Sequence, residues 1–327
     1  IFFLEKSIEF NSYDINSNSL GGAEKILINI ANELAKNKNL SIKVFNESKN
    51  KSIINNVIWD NLNKIDISDK PDFLIAMSDA NLLSIVNCKK KYLWSHSVQN
   101  FEKFVRKNQL LPFIINKPSL ILEGDYHYNT RSFLTSFFGK NILKVAADND
   151  FINKMIIPNS IPPKNVIFNT RSDRNLNIVI ETWKLIKKQV LDAKLYINPP
   201  YELKNDETNL DIFIRKKQDK SKLIEDLSYM KLMINPGHKG EVFCLVAEEA
   251  QQLCIPIVTL GYGSLYERII DKKTGFLCKS IDELAEKAIQ ILNDDSLYLS
   301  LKSNLYSLRG NRTYKQVADD LIKILSI

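Results

Sequence analysis

The feature that most constrains the fold is an alternation, repeated twice, of short apolar β-rich runs with stretches of helical periodicity. In the first half the runs are IFFL from Ile1, SIKVFN from Ser41, NVIW from Asn56, DFLIAM from Asp72 and KKYLWS from Lys90. Between the first two, Ala23, Ile26, Leu27, Ile30, Ala31, Leu34 and Ala35 recur at three- and four-residue steps, with Lys25, Glu33 and Lys36 off the stripe. That is one apolar helix face suited to packing on a sheet. Residues 157–164, IPNSIPPK, hold three prolines and no periodicity, and read as a linker. Beyond them NVIFNT, AKLYIN, IFIR, LMIN and PIVTL read as strands, and NLNIVIETWKLIKK, KLIEDLSYM and FCLVAEEAQQL as helices. Three more helical stretches follow Gly275. The expected fold class is α/β, with two Rossmann-like domains facing a cleft and ligands held at the carboxyl ends of parallel strands. The expected domains are residues 1–160 and 161–311, the last helix, about 312–327, packing back on the first domain.

With 44% hydrophobic and 25% charged residues in 327, the chain can build such cores, and disorder is excluded. Lys and Arg number 45 against 38 Asp and Glu, a net charge of +7. This invites nucleic acid, anionic lipid or a phosphorylated small molecule. The basic clusters Lys89-Lys90-Lys91 and Arg215-Lys216-Lys217 are short and lack the interleaved aromatics of a strand-stacking surface, so no nucleic-acid partner is expected. A non-catalytic nucleic-acid or membrane-surface binder on a nucleotide-binding fold is the competing reading from another class. Cys88, Cys244, Cys254 and Cys278 have no C-x-x-C spacing, which points to free thiols in a reducing compartment. Without an apolar run long enough for a membrane span, or a signal peptide, the expected location is cytoplasmic, a peripheral position at the inner face of a membrane being compatible with the charge. Three dispersed histidines and isolated cysteines offer no metal-ligand spacing, so no metal and no cofactor are expected.

The stretch richest in chemistry is NPGHKGEVFCLVAEEAQQLCIPIVTLGYG, from Asn235 to Gly263. A strand ends at Asn235, a short loop follows and a helix begins near Phe243, leaving the amides of Val242, Phe243, Cys244 and Leu245 free to hold phosphate. Glu241 precedes this helix and Glu249 lies within it, at a spacing that suits a ligand longer than phosphate. A nucleoside diphosphate sugar fits, with diphosphate at the helix start, sugar hydroxyls on Glu241 and ribose hydroxyls on Glu249. Gly21-Gly22 opens the first helix without side chains, so backbone there can approach a ligand. His238 lies three residues before Glu241, whereas His127 sits in no motif. Asp148-Asn149-Asp150 has the D-x-D form that holds a divalent cation in metal-dependent transferases, a rival that needs a single dominant nucleotide domain.

EVFCLVAEEA followed by CIPIVTL resembles the E-x7-E signature and following strand of glycosyltransferase family 4, the retaining group 1 enzymes with the B-type fold. GGAE at Gly21 resembles that family's glycine loop, WSH at Trp94 its acceptor-side histidine strand, PNSI at Pro158 its linker and YGSLYERIIDKKTGF its closing segment. NTRSDRNLNIVIETWKLI places Arg174 where the family has its diphosphate-binding cation. Asn169 stands where many members have a second Arg, with Arg171 nearby as a substitute, while Asn175, Val242 and Cys244 replace three usual glycines. The resemblance implies a metal-independent retaining transferase that moves a sugar from a UDP-, GDP- or ADP-linked donor to a saccharide or lipid-linked acceptor. It implies Glu241 and His96 at the reacting sugar and Arg174, Arg171, Phe243, Cys244, Leu245, Glu249 and Gly22 on the donor. A nucleotide-sugar epimerase or a phosphorylase on the same architecture is the alternative.

Overall fold

The computed structural model describes residues 1–17, 20–98, 100–198, 200–216 and 218–327; Lys217 of the second basic cluster lies outside them. The chain divides into two units, Ile1–Val145 with Thr313–Ile327, and Ala146–Arg312.

Among the described residues the first unit contains seven parallel strands, β1 (Phe2–Leu4), β2 (Ile42–Ile54), β3 (Val57–Asn61), β4 (Phe73–Met77), β5 (Lys90–Trp94), β6 (Ser119–Leu122) and β7 (Lys140–Ile142). Their order is β3-β2-β1-β4-β5-β6-β7. The helices are α1 (Gly22–Leu34), α2 (Phe101–Arg106), α3 (Leu110–Asn116), α4 (Asp125–Asn129) and α5 (Phe133–Ser136). On one face Phe2, Leu4, Leu74, Ala76, Leu93, Leu120 and Leu122 pack with Phe104 and Phe113 of α2 and α3. The apolar stripe expected after Gly22 is real: Ile26, Leu27, Ile30, Ala31 and Leu34 are all buried. The C-terminal helix, Tyr314–Leu325, lies against α1, and its Ile324 carbonyl accepts from the Tyr92 hydroxyl at 3.3 Å.

The second unit repeats the plan with β8 (Asn165–Phe168), β9 (Lys194–Ile197), β10 (Ile212–Ile214), β11 (Leu232–Ile234), β12 (Ile257–Thr259) and β13 (Gly275–Leu277), in the order β10-β9-β8-β11-β12-β13. Its helices are α6 (Asn149–Asn153), α7 (Leu176–Lys187), α8 (Lys220–Ser228), α9 (Leu245–Gln252), α10 (Ile281–Asn293) and α11 (Asp295–Leu308). Strand residues alternate between two cores, as a sheet covered on both faces requires. Val166, Phe168, Leu232 and Ile234 meet Val179 and Trp183 of α7 and Leu284 and Ile291 of α10. Ile167, Met233 and Ile257 meet Ile224 and Leu227 of α8 and Ala247 and Ala250 of α9. In each unit the strand order reverses beside the first strand, at β1/β4 and at β8/β11, where a doubly wound sheet opens a crevice at its carboxyl edge.

The boundary expected at 160/161 falls instead at 145/146. Ala147 and Phe151 are buried with Ile167, Ile224 and Leu253. Lys302 of α11 donates to the carbonyls of Ile157 and Ser160 at 2.8 and 2.7 Å, and Arg309 donates to those of Ile152 and Lys154 at 2.7 and 2.6 Å. The proline-containing segment is thus bound to the second unit by long-range cations that no local pattern announces. Trp183 is fully buried and its indole N–H donates to the Leu210 carbonyl at 2.7 Å. Trp183→Ala is expected to destabilise this unit by about 3–5 kcal/mol, read as a lower denaturant midpoint.

Candidate functional site

The loops after β8 and β11 face the crevice at the strand-order reversal, and two side chains join them. Asn175, which caps the start of α7, takes the left-handed conformation at φ 64°, one that Asn tolerates better than other non-glycine residues. Its Nδ2 donates to the Gly237 carbonyl at 2.6 Å. Arg174 Nη1 lies 2.6 Å from His238 Nδ1, which also accepts from the Gly240 amide at 3.0 Å. Two donors on one ring nitrogen leave it the lone pair, so His238 carries its proton on Nε2.

The β11 loop in turn rests on the backbone after β12. Gly263 is at φ +71°, and a Cβ there would sit 2.2 Å from the His238 carbonyl oxygen and 2.9 Å from that of Glu241. The Ser264 amide donates to the Glu241 carbonyl at 3.0 Å. This close approach carries Glu241 into the protein, where its Oε2 is shielded from solvent and without a hydrogen-bond partner. Burial pushes the Glu241 carboxyl above the ordinary range, against the opposing pull of the Cys244 thiol, Arg174 and His238. An orphaned carboxylate oxygen beside a guanidinium is poised to receive hydroxyl donors.

The helix expected from Phe243 begins two residues later. Cys244 is at φ 62° and forms the N-cap, so α9 opens at Leu245. The amides of Ala247 and Glu248 return to the Cys244 carbonyl at 3.0 and 3.4 Å, leaving those of Leu245 and Val246 as the first-turn donors. Phe243 is buried, with the Arg268 guanidinium 3.7 Å over its ring and Arg268 Nε donating to its carbonyl at 3.0 Å. Arg268 also reaches Glu248 at 3.6 Å, so Glu248 is a buried support, while Glu249 is half-buried on the next position. The Cys244 thiol is raised well above its usual value by complete burial and by Glu241, so it remains protonated.

Arg171 does not join this cluster. Its side chain is 75% exposed and its guanidinium makes two hydrogen bonds to Asp173, at 2.7 and 3.1 Å. A cation that the sequence did not single out as a site residue is buried nearby on the sheet edge. Arg215 Nη1, just past β10, donates to Asn169 Oδ1 and Asn198 Oδ1, each at 3.1 Å, and Asn198 Nδ2 donates to Asn169 Oδ1 at 2.8 Å. The three residues follow β8, β9 and β10 directly and form a polar rim there. The D-x-D pair is occupied otherwise. Lys220 Nζ bridges Asp148 at 2.9 Å and Asp150 at 2.6 Å, and Asp148 caps α6.

In the first unit, His96 leaves β5 and Glu123 leaves β6. Nδ1 of His96 is 2.6 Å from Glu123 Oε1, and the carboxylate side chain is only 4% exposed. His127 is fully buried; its Nδ1 accepts from the Glu123 amide at 3.2 Å and its Nε2 meets the Ser97 carbonyl at 3.1 Å. Burial lowers the His127 pKa to about 4, so the ring is neutral at physiological pH. Gly22 is exposed and begins α1, whose first turn contains Glu24, a carboxylate that occupies the favourable end of the helix dipole. The sequence singled out His96 but not Glu123, whose one local signal is a charge directly after the apolar run SLIL.

The family described as glycosyl transferases group 1 matches residues 163–307. An uncharacterized glycosyltransferase of Haemophilus influenzae is 26% identical over 348 residues, covering 90% of this chain and 93% of its own. Residues 163–307 thus resemble the group 1 glycosyl transferases, and the chain is similar to a glycosyltransferase over most of its length. The capsular polysaccharide biosynthesis glycosyltransferase CapM of Staphylococcus aureus is 26% identical over 141 residues, covering 40% of this chain and 37% of CapM. Among solved structures, Anabaena HepE in complex with UDP superposes with a TM-score of 0.73 at 14% identity, covering 99% of both chains. The two Rossmann-like domains are therefore those of the B-type glycosyltransferase fold.

Asn175 separates backbone strain from loop tethering in this chain. Asn175→Ala loses both the tolerated conformation and the bond to Gly237, and should cost about 2 kcal/mol of stability. Asn175→Gly loses only the bond and should cost about 1 kcal/mol, the difference being read from paired denaturant titrations.

Proposed function

We propose that this chain is a glycosyltransferase that transfers a sugar, with retention of anomeric configuration and without a metal ion, from a nucleoside diphosphate donor to a hydroxyl of a saccharide or lipid-linked acceptor. The observation that carries the reading is the buried Glu241 carboxylate with its unpartnered Oε2, set beside Arg174 and His238 and just before the α9 terminus. Arg174 and the amides of Leu245 and Val246 neutralise the departing diphosphate, whose charge grows as the anomeric bond breaks. Glu241 orients sugar hydroxyls, and Glu249 on α9 holds the ribose. The same support favours membership of family 4, in which the leaving phosphate takes the acceptor proton on the face that it vacates. His96 in the first unit contacts the acceptor or the sugar.

HepE is described in complex with UDP and with UDP and glucose, and a mutant of S. aureus TarM with fondaparinux, alpha-GlcNAc-glycerol and UDP. Both favour a nucleotide-sugar donor and a saccharide acceptor here. Metal independence is supported by Lys220, whose ammonium occupies both carboxylates of the D-x-D pair. Cys88, Cys244, Cys254 and Cys278 are free thiols, which suits work in the cytoplasm, and the net charge of +7 suits an acceptor displayed at an anionic membrane surface. Among the described residues no helix is long and apolar enough to cross a membrane.

The test is transfer by the purified chain, after a thermal-shift screen against UDP-, GDP- and ADP-sugars to find the donor. Glu241→Gln should lower turnover about 100-fold, because misplacing a reacting sugar by about 1 Å costs that much. Folded Glu241 holds its proton to higher pH than unfolded Glu241, so its contribution to stability falls as pH rises through and above the ordinary carboxylate range. Glu241→Gln removes that penalty and should raise the melting temperature at neutral pH while activity falls. Full activity in this variant, or activity abolished by a chelator and restored by Mn²⁺, would contradict the reading.

A further inference from the structure

The pairing of His96 with Glu123 is set by strand register. Tyr92, Leu93 and Trp94 of β5 lie opposite Ser119, Leu120 and Ile121 of β6, so two residues further on His96 and Glu123 leave the sheet at the same level. The Ser95 amide, donating to the Ile121 carbonyl at 3.0 Å, holds that register one step past the strands. A carboxylate is an acceptor only, so at 2.6 Å the His96 Nδ1 must carry a proton, and in the neutral ring Nε2 holds the lone pair. That Nε2 is buried and has no partner, and the Trp94 ring packs against the imidazole with centroids 5.3 Å apart. The His96 amide donates to Ser78 Oγ at 3.1 Å, fixing its backbone.

His127 is held in the opposite tautomer. Its Nδ1 accepts a backbone N–H from Glu123 and its Nε2 N–H donates to the Ser97 carbonyl, so one neutral ring pins the backbone on both sides of the pair. Lys103 also reaches this loop, donating to Ser97 Oγ.

We infer that Glu123 is a positioning residue that locks His96 in the Nδ1–H tautomer, so that Nε2 accepts a hydrogen bond from a sugar hydroxyl of the transfer reaction. The tautomer lock stands on geometry alone, while the hydroxyl role rests on the proposed transferase activity. Nε2 orients the hydroxyl and takes no proton from it. Nothing else in the described first unit offers a buried, unpartnered ring nitrogen with its tautomer fixed from behind.

The experiment is a long-range ¹H–¹⁵N spectrum of the full chain labelled with ¹⁵N-histidine, read beside turnover. The expected spectrum shows His96 protonated on Nδ1 and His127 on Nε2, the latter serving as an internal control of folding. Glu123→Gln retains an acceptor for Nδ1 and should keep both the tautomer and most of the activity. Glu123→Leu should move His96 towards the Nε2–H form and lower kcat about tenfold, the equivalent of one lost hydrogen bond, with the KM for donor unchanged. An Nε2–H tautomer in the unsubstituted chain, or an unchanged His96 tautomer in Glu123→Leu with His127 intact, would overturn the lock. The expected spectra without transfer by any form of the chain would instead overturn the hydroxyl role together with the transferase reading.

Discussion

The second unit's site depends on a tie between two loops that sequence separates by more than sixty positions. Asn175 holds the Gly237 carbonyl and Arg174 holds the His238 ring, closing the crevice side of β8 onto that of β11. The tie explains why so much else in the region is constrained. Gly263 has no room for a Cβ because the tied loop lies against it. Asn175 and Cys244 sit at positive φ, and such strain costs on the order of 1–3 kcal/mol per residue unless the surroundings hold it in place. A carboxylate is buried without satisfying one of its oxygens. Strain and an unmet polar group gathered at one sheet edge mark a place shaped for a ligand rather than for stability.

The basic excess has a less functional meaning than its size suggests. Lys220 neutralises Asp148 and Asp150, Lys231 holds the Leu292 carbonyl and Asp295, Lys302 and Arg309 fasten residues 152–160, and Arg215 orders two asparagines. These buried or half-buried cations do structural work that a net charge cannot reveal. Arg171, the exposed candidate, is spent on Asp173 two residues away. Arg174 differs because its partner is a neutral ring, so its positive charge is not cancelled by that contact.

The architecture was legible because it is written in short-range periodicity. The stripe of α1, the alternating faces of β8 and β11, and the three helices after Gly275 follow from local apolar spacing. The placement of Glu241 before α9 and of Glu249 within it was legible from the strand, loop and helix frame. What escaped depends on contacts distant in sequence or on single backbone angles. The start of α9 moved to Leu245 because Cys244 turns left-handed, and the unit boundary moved because Lys302 and Arg309 reach back about 145 to 157 positions. Glu123 meets His96 across 27 positions through the register of β5 with β6, and Arg215 reaches Asn169 across 46. No pattern within either strand specifies the side chain waiting on its neighbour.

The central claim is that the tied loops and the first amides of α9 form a nucleoside diphosphate site. A crystal structure of the chain with UDP tests it most directly. The account predicts phosphate oxygens within hydrogen-bond distance of Arg174 and of the Leu245 and Val246 amides. Nucleotide bound elsewhere in the second unit, with Arg174 still on His238 and those amides uncontacted, would contradict it.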